Sequence, residues 1–80
     1  MTMPLLTKLQ GQYVAFIHYY TTVNGRPPAE YDLQLHFGTT PPTVHDMILR
    51  LEKLGAIARE PWTARSIRVL VPVEDLPRLD

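Results

Sequence analysis

Apolar residues recur at three- and four-residue spacing through the first two thirds of the chain and change to alternation after Gly55. Leu9, Tyr13, Phe16, Ile17 and Tyr20 fall on one face of a helix, and that face must pack against something. The helix start lies in Thr7-Lys8-Leu9-Gln10, a capping box in which the Thr hydroxyl and the Gln amide satisfy free backbone groups, and Asn24-Gly25 ends it. Pro27-Pro28 forces an extended segment and pre-sets a short second helix, with Glu30 and Asp32 in its first turn where the helix dipole favours acids. Leu33 and Phe37 supply its inner face, and Gly38 is placed to take the left-handed conformation that closes it. A third helix follows at once. Thr40 is a good N-cap, Pro41 suits the first helical position, and Pro42 is tolerated in the first turn because its missing amide would be unpaired there anyway. Val44, Ile48 and Leu51 carry the apolar stripe on to Leu54-Gly55.

Alternation over Ala56 to Glu60 and Arg65 to Leu70 predicts two strands around Pro61-Trp62-Thr63-Ala64, a connection of hairpin length. The tail holds Pro72 and Pro77 without a clear period, so it is expected to be extended and loosely attached. The order is therefore helix, helix, helix, hairpin, with only a few residues between the second and third helices. The expected fold is α+β but mainly α, a three-helix winged helix-turn-helix with a C-terminal β-hairpin wing. Residues 1–70 form the domain and 71–80 the tail.

The turn Gly38-Thr39-Thr40-Pro41-Pro42-Thr43-Val44 resembles the Gly-x-Ser-x-x-Thr-Val turn of helix-turn-helix regulators. Leu6-Thr7-x-x-Gln10, Gly25-x-Pro27-Pro28 and Ala64-Arg65-Ser66-Ile67-Arg68 extend the likeness over about residues 5 to 70, and together they resemble the DNA-binding domain of LexA repressors. The resemblance implies a repressor-type transcriptional regulator that binds double-stranded DNA. It also implies that Thr40, Pro42, Thr43, His45 and Asp46 occupy the base-reading positions of the recognition helix. Ala29 stands where the family prefers a capping Thr or Ser, a loss of about 1 kcal/mol unless another group caps the helix. The family's peptidase residues lie in a second domain, so no self-cleavage and no enzyme activity are expected of these 80 residues.

Composition narrows the picture. One core is all that 80 residues can build, and with no cysteine it stands on packing alone, as a cytoplasmic protein can. Met1 to Thr7 lacks a secretory pattern, and no apolar run approaches a membrane span of roughly 18 residues. The formal net charge of zero is low for a nucleic-acid binder. The tail, however, holds Glu74, Asp75 and Asp80 against Arg78, leaving residues 1–70 with seven basic and five acidic groups. Affinity for DNA then depends on where the arginines sit.

On a helical wheel the stripe Val44, Ile48, Leu51 leaves His45, Asp46, Leu49 and Arg50 facing outward. His, Thr and Asp can bond base edges in a major groove, and Arg50 can bond guanine or phosphate. Asp46 repels phosphate and is expected either to pair with Arg50 or to accept from cytosine. On the wing, Arg65 near the tip and Arg68 opposite the inward Ile67 and Val69 suit phosphate or the minor groove. Both are expected to leave the fold unaffected when removed, and Trp62 is expected to fold back over neighbouring arginines. The histidines and acids show no metal-ligand spacing, and neither a cofactor nor a small-molecule ligand is expected. Regulators of this kind pair to span two half-sites, which leaves room for a homodimer. The alternative function is a winged-helix protein-protein interaction module with little DNA affinity, using Leu49, Tyr19 and the Leu76–Leu79 tail as its apolar contact surface.

Overall fold

In the computed structural model, which describes residues 5–80, three helices precede a small antiparallel hairpin and a final 3-10 turn. They are α1 (Lys8–Asn24), α2 (Glu30–Phe37), α3 (Pro41–Lys53), β1 (Ile57–Ala58) and β2 (Arg68–Val69), with the turn at Val73–Asp75. The sequence expectation of a winged helix-turn-helix holds. The reading of Met1 to Thr7 lies, for its first four residues, outside those described.

The helix ends follow from local chemistry. Thr7 Oγ1 accepts from the Gln10 amide at 3.1 Å while Gln10 Oε1 accepts from the Thr7 amide at 2.9 Å, so the capping box closes in both directions. Gly38 takes φ +60° after α2, and the Thr39 amide reaches back to the Gln34 carbonyl at 3.2 Å. Thr40 precedes α3 in extended conformation, but its hydroxyl meets Thr43 Oγ1 at 2.9 Å and bonds no helix amide. Pro42 has removed the N2 amide, one of the two that a cap side chain can bond.

The core joins Tyr13, Val14 and Ile17 of α1 to Leu33 of α2, Val44, Ile48 and Leu51 of α3, and Ile57, Ile67 and Val71 around the wing. Tyr13 stacks on Phe37 with ring centroids 4.0 Å apart, and burial pushes its phenol pKa up, which keeps the ring neutral. Leu9, expected on the inner face, is half exposed, whereas every residue from Gln10 to Ile17 is buried. One apolar stripe cannot account for a helix buried all round.

The tail accounts for it, and this corrects the expectation of an extended, loosely attached segment. Leu76 and Leu79 pack against the core, and buried Gln12 donates to the Arg78 carbonyl at 2.7 Å and accepts from the Asp80 amide at 2.8 Å. A Cβ added at Gly11 would lie 3.2 Å from Pro77 Cγ, so a glycine inside α1 lets the tail cross close to the backbone. Gln12→Leu removes both bonds, each worth about 0.5–1.5 kcal/mol net. Denaturant titration should therefore register a loss of about 1–3 kcal/mol, and amide spectra should show residues 76–80 released from α1 while the wing stays unperturbed.

The strands are shorter than expected. Only Ile57 with Val69 and Ala58 with Arg68 pair, and the Leu70 amide adds a bond to the Ala56 carbonyl at 2.9 Å. Beyond Ala58 the ladder gives way to Ser66. Its hydroxyl accepts from the Glu60 amide at 3.0 Å and lies 3.1 and 2.9 Å from the carbonyls of Glu60 and Thr63. Trp62 and Arg65 adopt φ of +62° and +55°, which no continuous strand accommodates.

Candidate nucleic-acid interface

The three-residue turn Gly38–Thr40 sets α3 against α2, and the buried stripe Val44, Ile48, Leu51 fixes its rotation. The opposite side therefore faces solvent, and Thr40, Pro42, Thr43, His45, Asp46 and Arg50 are all exposed there, as is Leu49 at 40%. These sequence-predicted residues spread around the solvent side of α3 and its N-cap. Asp46 and Arg50 do not pair: the described residues hold ion pairs at His45–Glu30, Arg59–Glu52 and Arg65–Asp32, none of which joins these two. Arg50 is thus available to an external anion, and Asp46 remains an acceptor. His45 Nδ1 lies 3.1 Å from Glu30 Oε1, a contact across the helix-turn-helix in which both partners stay substantially exposed.

The wing separates its two arginines. Arg68 is exposed on β2, as expected. Arg65 is not an outward residue at the wing tip. Its Nη1 donates to Asp32 Oδ2 at 3.0 Å, to Tyr20 Oη at 3.2 Å and to the Pro27 carbonyl at 3.4 Å, which fastens the wing to α1 and to the entry of α2. The left-handed backbone at Arg65 turns the side chain back toward the helices. The hydrogen bond to Tyr20, together with the Asp32 carboxylate, holds the guanidinium pKa above its ordinary value, so Arg65 stays charged wherever the fold exists. Arg65 therefore contacts the helices instead of standing free of the fold, and its removal would break all three of these contacts.

Asp32 has a second task. With no hydroxyl or amide side chain at Ala29, its Oδ2 accepts from the Ala29 amide at 2.8 Å, supplying the reverse half of a capping box. Arg65 and the α2 terminus therefore share one carboxylate. Arg59 pairs with Glu52 at 3.3 Å and not with its neighbour Glu60. Trp62 does not fold back over the arginines; it is fully exposed. Trp62 sits on a left-handed backbone that turns its ring away from the domain, and nothing in the local sequence announces that conformation.

Three helices with a three-residue turn before the last, an exposed polar face on that helix and an appended hairpin define a winged helix-turn-helix protein. No family model matches the chain. It is 37% identical to a LexA repressor of Thermosipho melanesiensis over 90% of its own length, and 40% identical to one of Thermosipho africanus over 81%. A LexA repressor of Moorella thermoacetica is 30% identical over 94% of the chain. Over most of its own length the chain is thus similar to LexA repressors. It spans only 33–40% of the length of these relatives. Among the described residues no three His, Asp or Glu side chains gather to hold a metal, and no helix is long and apolar enough to cross a membrane.

Proposed function

We propose that this chain is the DNA-binding module of a transcriptional repressor, with α3 entering the major groove and the wing resting on phosphate or in the minor groove. The observation that carries the reading is the division of α3. Val44, Ile48 and Leu51 are wholly buried, while Thr43, His45, Asp46 and Arg50 stand exposed within the two turns that would enter the groove. Thr43 and His45 read base edges, Asp46 accepts from a cytosine amino group, and Arg50 bonds guanine or phosphate. Arg68 takes a phosphate. Arg65 acts from within, keeping the wing at its angle to the helices. A homodimer would place two copies of α3 on half-sites about one helical turn apart.

The interaction-module alternative loses part of its surface, since Leu76 and Leu79 pack against this domain's own core. Selection from a random duplex library tests the proposal: a recovered motif supports it, and no enrichment over many rounds rejects it. Arg68→Ala then isolates the wing contact. Arg68 is exposed and unpaired among the described residues, so the melting temperature should hold. The slope of log affinity against log salt should flatten by about 0.9, equally on selected and scrambled duplexes.

A further inference from the structure

At the tip of the wing stands an indole that the fold does not use. Trp62 is 102% exposed, the most exposed large apolar side chain among the described residues, on a left-handed backbone that disfavours bulky side chains. The turn beneath it is nevertheless fixed. The Thr63 amide bonds the Glu60 carbonyl at 3.2 Å, and the Ser66 hydroxyl ties Glu60 to Thr63 from below. A large aromatic surface held outward on a fastened turn is built to be covered by something else.

Its position indicates what covers it. Pro61, Trp62 and Thr63 form one wall of a cleft of about 350 Å³ whose facing wall is Glu30 and His45. His45 belongs to the exposed face of α3, so whatever meets that face also comes up against the wing tip. The cleft does not favour phosphate, because Glu30 contributes an anion and its one arginine, Arg59, is already paired with Glu52. A flat uncharged group with a π face fits an indole there, and a duplex approached by α3 offers that group as a base.

We propose that Trp62 stacks its indole against a base step flanking the site contacted by α3, as an aromatic wedge that adds affinity and sequence preference without reading a base edge. This rests on the DNA-binding reading above. Wedging partly unstacks the step, so the preferred flank is a pyrimidine–purine step such as TA or CA, which unstacks most readily.

Trp62 is the only tryptophan in the chain, so its fluorescence reports on this contact alone when excited at the red edge of the tyrosine absorption. The 80-residue protein is titrated with a mixed-sequence duplex, or with a selected one, while the anisotropy of a labelled copy of that duplex records binding. Indole emission should fall and acrylamide access should be lost at the same DNA concentration that saturates the anisotropy. Trp62→Ala should weaken binding roughly 5- to 150-fold, the range for losing one aromatic–base stack, and should leave the salt slope unchanged because no counterion is involved. Trp62→Phe should recover part of the loss. Full anisotropy binding with emission and acrylamide access unaltered overturns the wedge and leaves the DNA-binding reading intact. So does an indole that becomes protected by raising protein concentration without DNA, which would make the tip a contact between copies. Absence of anisotropy binding at low salt removes both.

Discussion

Truncating Ile48 to alanine should remove about 2–5 kcal/mol of folding stability, a large share of what a domain of this size possesses. Ile48 is fully buried at the centre of the α3 stripe, between Val44 and Leu51. The lost methyl groups leave a void that the surrounding core cannot easily fill. The Thr43→Ala/His45→Ala double variant, altered on the same helix but on its opposite side, should cost no more than about 1 kcal/mol, since it gives up only an exposed pair with Glu30 and an exposed hydroxyl contact. Its effect should fall on DNA instead. Discrimination between a selected site and a scrambled one should collapse, since both proposed base-edge contacts are removed. Thermal denaturation of both variants, set beside competition binding of the folded one, separates the structural side of α3 from its reading side. A double variant with full discrimination would move the reading surface elsewhere.

Arg65→Ala should lower the melting temperature by several degrees and loosen the wing, although the residue lies close to the wing tip. Its guanidinium holds three partners on α1 and at the entry of α2, and its removal leaves Asp32 with the Ala29 amide alone. Because α2 has no capping side chain at Ala29, the fault should spread into the first turn of that helix. Hydrogen exchange should rise at residues 30–33 and 60–66 while the α3 amides keep their protection. Affinity for every duplex should drop, since a loosened wing must be ordered again on binding before Arg68 reaches its phosphate. The salt slope, by contrast, should lose much less than Arg68→Ala removes. A variant that melts like the parent but loses a full phosphate contact from the slope would return Arg65 to the DNA.

The contrast between α3 and Arg65 shows where sequence reasoning reaches. Helix starts and stops were legible because their causes are local: the Thr7–Gln10 box acts across three residues, and Gly38 acts on the turn it closes. The buried stripe of α3 was legible because a 3.6-residue period needs no knowledge of the partner. Arg65 was not, since its partners Tyr20 and Asp32 lie 45 and 33 residues away and nothing local announces them. The tail failed in the same way: Gln12 meets Asp80 across 68 residues, and a segment without period gave no sign of a docking site on α1. The wing strands were overestimated because alternation alone does not reveal that Ser66 replaces the ladder or that Trp62 and Arg65 turn left-handed. The residues of α3 expected to face outward are exposed, and of the two roles expected of Asp46 the pair with Arg50 does not form.

The measurement that bears most directly on the central claim is the affinity of this 80-residue chain for a duplex over a series of salt concentrations, read by fluorescence anisotropy. Non-specific binding should appear with a dissociation constant of about 10⁻⁴ to 10⁻⁶ M at physiological salt and tighten as salt is lowered. With Arg50 and Arg68 both on phosphate the magnitude of the log–log slope should be about 1.8 per chain, and about 0.9 if Arg50 instead bonds guanine. No binding at low salt, or an affinity that does not change with salt, would contradict the account and leave the exposed face of α3 without the ligand assigned to it.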